Sequence, residues 1–360
     1  MGTENQPEIF LSFMGKQALG NGFAKIPQVC PILNRMRYPR RPRTAPKSGE
    51  LALIQRIRSR AALAKGRVPL GIGDDCALLR LRPGEEAAVT TDLSIENRHF
   101  RLDLHPPEAI GHRTLARGLS DIASMGGRPV AAFLSLGLPA ELTKPPGGKR
   151  KAWVDRFLDG FFELAERYEV PLAGGDLAQS EIALADIVVI GAVPSGKALL
   201  RSGARKGDII YVTGKLGGSA FGLRLLSQNP SGRSSQNLLP HLKPEPRIAQ
   251  GLWLRRHGSA SATIDVSDGL STDLHHLCAE SRVSAEIEAA MLPIARGAVI
   301  ADALHGGEDY ELLFTANPRT RIPRGIAGVP ITRIGVIGKE GRDRNECPGD
   351  VSRSIPPQLS

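Results

Sequence analysis

The chain has 360 residues, 41% of them hydrophobic and 23% charged, with few aromatics, 40 glycines and 27 prolines. This is a globular composition, long enough for two domains, and it excludes a collagen-like, wholly disordered or disulfide-framework chain. The net charge of +10 points first to a polyanion partner, yet residues 1–48 hold eight basic residues against two acids, a net of +6, and leave only about +4 for the rest, ordinary for a soluble protein.

Residues 1–48 show little periodicity and end in the Pro- and Arg-rich run RMRYPRRPRTAPKSG, read here as a disordered basic extension. Leu51, Ile54, Ile57 and Leu63 then recur at helical spacing over residues 50–63. A strand pair is expected at 71–81 and 87–95 around the turn RPGEE. Residues 106–125 read as a helix with Ile110, Leu115, Leu119 and Ile122 on its apolar face and Gly126-Gly127 as its stop. A strand at 130–138, an amphipathic helix at 152–168 (Trp153, Phe157, Phe161, Leu164) and strands at 171–175 and 187–193 follow. The stretch 194–207, rich in Gly, Ser and basic residues, marks a domain boundary. Beyond it come a strand at 208–214, a Gly-rich helix start at 216–226, and a polar surface loop at 228–246. Helices at 247–256 and 271–281 flank a strand at 262–266, and late strands lie at 310–315 and 331–337. The expected layout is a basic extension (1–48), an N-terminal domain (49–194), a C-terminal α/β domain (195–340) and a disordered tail (341–360).

Cys30, Cys76, Cys278 and Cys347 stand far apart with no CxxC pair, which argues against a zinc site or disulfides and fits a reducing, cytoplasmic compartment. No apolar run approaches the roughly 18 residues of a membrane span, and no membrane partner is expected. No secretory signal pattern is found.

The recurrent chemical feature is an aspartate at the end of an apolar run beside glycine or a hydroxyl. Asp75 lies in LGIGDDCALL, Asp92 after Thr90-Thr91, Asp121 in LSDIASMGG, Asp176 in LAGGD, and Asp265 and Asp268 in IDVSDG. Taken singly, most of these serve equally well as caps or turn residues. Asp121 differs, because it falls inside a helix beside the apolar stripe, where a carboxylate is costly without a partner. Six such positions with no His/Cys cluster fit a hard cation such as Mg²⁺, which takes carboxylate, hydroxyl and phosphate oxygens. Gly174-Gly175 and Gly217-Gly218 offer backbone N–H groups to phosphate. The nearest match to a P-loop, GAVPSGKA at 191–198, has Ala198 where a Ser or Thr should hold the metal, and is read as chance.

In order along the chain stand GIGDDCALL, TTDLSIENRHF, GLSDIASMGGRP, GGDLAQS, LLRSGARKGDIIYVTGKLGGSAFGL, HLKPEPRI, IDVSDGLSTDL and GGEDYELLF. Together, over roughly residues 49–338, they resemble the thiamine-monophosphate kinase family, in the superfamily that includes aminoimidazole ribonucleotide synthetase. The resemblance implies a two-domain α/β (α+β) fold whose N-terminal domain forms a β-barrel with that of a second copy in a homodimer. It implies ATP as co-substrate, thiamine monophosphate as acceptor and several Mg²⁺ ions in the cleft. By matching motif, Asp75, Thr90, Thr91, Asp92, Asp121, Asp176, Asp265 and Asp268 would hold metal, with Asp92, Asp121 and Asp265 at the centre of catalysis. Gly175, Asp176, Arg201 and Ser267 would contact ATP, and His99 and Glu308 the thiamine phosphate, Glu308 suiting a cationic thiazolium. Three positions depart from the family pattern: Gly118 replaces a frequent Asn, Leu177 a frequent Thr, and the ending SRSIPPQLS lacks the usual aromatic. The alternatives are an ATP-dependent synthetase of the same superfamily or an inactive homologue. The Cys and Lys that selenophosphate synthetases carry before the first glycine motif have no counterpart near Gly71. A nucleic-acid-binding protein is the reading from another class, resting on the basic extension alone, and no nucleic-acid partner is expected.

Overall fold

The first sheet forms because its long segments between residues 85 and 194 are rich in Val, Ile, Leu and Ala, with burial that alternates along 85–95 and 184–194. The structure is a computed structural model that describes residues 50–61, 67–72, 75–147, 150–229 and 235–338. All of these fall in one compact unit spanning Pro46–Ser360. The expected extension 1–48, the tail 341–360, Asp74, Cys30 and Cys347 lie outside the described residues.

Strands β1 (Glu85–Ile95), β2 (Arg128–Leu138), β3 (Leu172–Gly174), β4 (Leu177–Gln179) and β5 (Leu184–Pro194) take the order β1-β5-β2-β3, with β4 also on β2. The β1–β5 and β5–β2 pairs are antiparallel, while β3 and β4 run parallel to β2. Helices α1 (Glu50–Ala61), α2 (Pro107–Ser124) and α3 (Trp153–Arg167) belong to this half. Proline at the first position of α2 costs no hydrogen bond there, and the helix is buried along nearly its whole length. Leu115, Leu119, Phe157, Phe161, Ile187 and Val189 make a fully buried layer between α2, α3 and the sheet.

The second sheet comprises β6 (Ile209–Thr213), β7 (Ala262–Val266), β8 (Ala285–Ile287), β9 (Glu311–Ala316), β10 (Gly325–Ile326) and β11 (Val329–Ile337). Its order is β10-β11-β6-β9-β7, antiparallel throughout, with β8 added to β11. Helices α4 (Gly218–Gln228), α5 (Leu239–Leu242), α6 (Ile248–Arg256), α7 (Leu270–Ser281) and α8 (Ile300–His305) complete it. Ile210, Val212, Ile264, Leu270, Leu277 and Leu313 form its core. No helix among the described residues is long and apolar enough to cross a membrane.

Two expectations are corrected. The stretch 71–81 is not a strand in its described part. Leu70 and Leu78 meet in an isolated bridge, and β1 pairs with β5 instead. Its glycines weaken a strand, and its apolar residues Ile72, Ala77, Leu79 and Leu81 pack on the core without forming a ladder. Nor is 228–246 simply a surface loop, since its described part carries α5 and buries His241. The short elements β4, β8 and α8 were not anticipated, being too brief to show a period.

His241 explains why α5 docks. The Arg101 N–H donates to His105 Nδ1 (3.1 Å), which leaves His105 Nε2–H facing His241 Nε2 at 3.0 Å. His241 Nδ1 in turn lies 3.0 Å from the Ser219 hydroxyl. Each donor meets one acceptor only if both rings are neutral. Burial, reinforced by the Arg113 guanidinium, pushes His105 down to about 4 and His241 to about 2. The unfolded chain takes up these protons near pH 6.5, well before the folded one. Their contribution to stability is therefore complete above pH 6.5 and is lost as the pH falls, toward 4 for His105 and toward 2 for His241. The double substitution His105→Gln, His241→Asn is expected to flatten the drop in urea midpoint between pH 7 and pH 5. Parallel curves for variant and wild type would show that the pair does not carry it.

Candidate active site

The periods of a helix and a strand bring the predicted residues together. On α2, Arg113, Arg117 and Asp121 lie four residues apart and so form one stripe. On β1, Thr90 and Asp92 share a face while Thr91 takes the other. The end of β7 contributes Asp265, the turn after it Ser267 and Asp268, and the segment before β9 contributes Glu308 and Tyr310. Asp92, His99, Asp121, Asp265, Ser267, Asp268 and Glu308 line one cleft of about 410 Å³, drawn from both sheets.

The cleft is an acidic concentration with few counter-charges. Burial raises Asp92, opposed by Arg117 at 3.4 Å and reinforced by Asp121, Asp186 and Asp268. Burial likewise raises Asp121, opposed by a hydrogen bond from the Thr90 hydroxyl and by Arg201 and Arg117. Asp265 is buried and pushed upward by desolvation and by Asp121, although the Ser120 hydroxyl donates to it at 2.6 Å. His99 is held below its ordinary value by burial and Arg117.

Two further carboxylates shape the walls. Asp273 accepts from the Ser267 and Asp268 amides at 2.9 and 3.0 Å, fixing the turn into α7, and burial pushes it up to about 6. Asp309 accepts from the Gly217 and Ser219 amides at 2.6 and 3.0 Å. The N-terminus of α4 is therefore capped from within, and the Gly217-Gly218 amides expected to meet phosphate are already engaged. Glu308 and Tyr310, on either side of Asp309, have φ of 65° and 51°, sparsely populated values for residues with side chains. Backbone bonds to Ser267 O (2.7 Å) and Val266 O (2.9 Å) hold the segment there.

Other predicted residues lie elsewhere. Asp75, Gly175 and Asp176 line a second cavity of about 480 Å³ with Phe133 and Leu134. Gly175 has φ 147°, and a Cβ there would sit 1.8 Å from the Leu134 carbonyl oxygen, so the fold itself demands glycine. Thr91 donates to Asp186 at 3.1 Å. Arg201 is exposed and acts on Asp121 through its charge. Gly118, the departure from the family pattern, is where α2 meets β5, since a Cβ would come 2.5 Å from Val189 Cγ2. Sequence reasoning missed Arg113, Arg117, Asp186 and Asp309. Only the four-residue spacing of the two arginines with Asp121 signalled any of them.

Among the described residues, no three of His, Cys, Asp or Glu come close enough to hold a metal by themselves. Mg²⁺ does not need that, because it keeps waters and binds through one or two carboxylates plus substrate phosphates. Desolvated carboxylates facing one another across a cleft, with hydroxyls beside them, suit such an ion.

Comparison with known proteins gives a consistent result. Residues 73–194 match the family model for the AIR synthase related protein, N-terminal domain, and residues 205–344 that for the C-terminal domain. The thiamine-monophosphate kinase of Escherichia coli is 39% identical over 303 residues, covering 80% of this chain and 90% of its own. The crystal structure of thiamine-monophosphate kinase from Stenotrophomonas maltophilia aligns with TM-score 0.69 at 38% identity, over 81% of this chain and 95% of that one. AaThiL, solved in complex with AMPPCP and TMP, aligns with TM-score 0.64 at 32% identity, over 81% and 92%.

Proposed function

We infer the function from one premise: this chain belongs to the thiamine-monophosphate kinase family of the AIR synthase related proteins. It is a thiamine-phosphate kinase, using ATP to phosphorylate thiamine monophosphate. The finer reading is a direct in-line transfer. An oxygen of the thiamine monophosphate phosphate bonds to the γ-phosphorus as the bond to the β,γ-bridging oxygen breaks, and ADP and thiamine diphosphate leave.

The acceptor needs no strong base, because the second pKa of a phosphate monoester is about 6. The obstacle is repulsion between two polyanions, so alignment and charge neutralisation carry the rate. When bound, Mg²⁺ supplies that neutralisation and polarises the phosphoryl oxygens. Asp92, Asp121, Asp265 and Asp268 would hold it from the cleft, with Thr90 adding an oxygen, whereas the Thr91 hydroxyl, on the other face of β1 and bonded to Asp186, is not placed to join them. Asp75 and Asp176, which line the second cavity, would hold it there. Gly175, Arg201 and Ser267 contact ATP, and His99 and Glu308 receive the other substrate. The observation that carries the reading is the convergence on one cleft of Asp92 from β1, Asp121 from α2, Asp265 from β7 and Asp268 from the turn after it. Chelation by EDTA is expected to abolish thiamine diphosphate formation, and Mg²⁺ to restore it. Undiminished turnover in EDTA would remove the metal assignments.

The proposed domains are 49–194 and 195–340, in a cytoplasmic homodimer. β1 is the edge strand of the first sheet and leaves Val89 64% and Leu93 44% exposed, which supports a sheet continued by a second copy. The double substitution Val89→Lys, Leu93→Lys is expected to yield a monomer in sedimentation equilibrium. A dimer of unchanged affinity would place the interface elsewhere.

A further inference from the structure

The two groups assigned to thiamine monophosphate come from distant parts of the chain, and neither sits on a regular element. His99 lies in the turn after β1, and Glu308 in the left-handed segment before β9. One guanidinium meets both. The Arg113 side chain, 6% exposed, donates from Nη2 to Glu308 Oε2 at 2.5 Å and to the His99 carbonyl oxygen at 3.2 Å. Its Nη1 lies 3.4 Å from His241 Nε2, on the ring that is anchored to His105 and Ser219.

We propose that Arg113 is the positioning residue for the acceptor end of the cleft, setting Glu308 and His99 in mutual register from α2. This role rests on the assignment of those two residues to thiamine monophosphate. Arg113 stands eight residues, two further helical turns, before Asp121, so a single rigid helix fixes the acceptor site relative to the carboxylates. The pair also changes what Glu308 offers. Its charge is matched by the guanidinium, so the carboxylate acts as an oriented acceptor instead of a bare counter-ion beside Asp92 and Asp268. The task calls for arginine, because one planar nitrogen with two hydrogens can serve both acceptors at fixed angles, whereas lysine presents a point charge on a flexible stem.

The test compares Arg113→Gln, Arg113→Lys, Glu308→Gln and the Arg113→Gln, Glu308→Gln pair by steady-state kinetics in both substrates, with melting temperatures alongside. Arg113→Gln is expected to raise KM for thiamine monophosphate about 10- to 100-fold, the worth of a hydrogen bond to a charged group. KM for ATP should stay within about twofold and kcat within about threefold, the signature of lost ground-state binding. Arg113→Lys should recover part of the loss, and the double variant should lose less than the product of the two single losses, because Arg113 acts partly through Glu308 and partly through His99. If Glu308→Gln raises that KM and neither Arg113 variant does, the positioning role fails while the substrate assignment stands. If Glu308→Gln leaves it unchanged, the assignment fails and takes the inference with it. A lower melting temperature with both KM values unmoved, or KM values for the two substrates rising together, would reduce Arg113 to a structural ion pair and overturn the proposal.

Discussion

Asp121→Asn is expected to lower kcat by at least about a thousandfold, several kcal/mol of transition-state stabilisation, while leaving the folded protein as stable as before or more so. The two halves of that expectation have one cause. Asp121 is a half-buried carboxylate on α2, facing Asp265 and Asp92, with Arg117 and Arg201 as opposing charges among the described residues. Without a cation the charge is a burden, since burial and repulsion both disfavour it. An Asn side chain keeps an oxygen for the Thr90 hydroxyl and loses the charge, so the fold gains where cation affinity is lost. The check is kcat at saturating ATP and thiamine monophosphate, together with thermal unfolding in the absence of divalent ions. Activity within tenfold of wild type would mean that the charge at this position is not used in the reaction.

The largest effect on stability is expected from Arg247→Ala, at about 3–5 kcal/mol, the usual consequence of leaving one member of a buried ion pair alone. Arg247, at the start of α6, meets Glu311 at the start of β9 in a fork, with Nε to Oε2 at 2.6 Å and Nη2 to Oε1 at 2.5 Å. The Thr213 hydroxyl, at the end of β6, donates to the same carboxylate at 2.6 Å. The side chains are 17% and 4% exposed, so removing the guanidinium strands a buried carboxylate. The double substitution Arg247→Met, Glu311→Gln removes both charges and should cost less than the single one. Urea unfolding of the three proteins decides it, and a loss below about 1 kcal/mol for Arg247→Ala would show that water reaches Glu311 readily.

These two residues mark how far the sequence could be read. Asp121 stood out because a carboxylate inside an apolar helical stripe needs a partner, and the long elements α2 and α3 stood out because their apolar period persists for several turns. Arg113 and Arg117 did not, because basic residues on a helix look like a solvated face. Their meaning comes from Glu308 and Asp92, which only the tertiary fold sets opposite them. Gly217-Gly218 looks like an open phosphate cradle for the same reason, since the carboxylate that occupies it, Asp309, arrives two strands later in the chain. The glycine-rich stretch at 71–81 reads as a strand from its apolar residues, yet among the described residues it forms no ladder, and Leu78 meets Leu70 in an isolated bridge. Local pattern thus picked out Asp92, Asp121, Asp265 and Asp268, which the fold brings to one cleft, while their counter-charges and the state of each backbone amide depend on long-range pairing.

The acidic cleft is expected to move a phosphoryl group from ATP onto a phosphate already attached to thiamine. The direct measurement is product analysis by ³¹P NMR of purified protein with ATP, Mg²⁺ and thiamine monophosphate. Thiamine diphosphate and ADP should appear in equal amounts, with no free phosphate and no product when thiamine replaces its monophosphate. ATP consumed to ADP and free phosphate with no thiamine diphosphate formed, or no reaction with enzyme and substrate at equal concentrations, would contradict it.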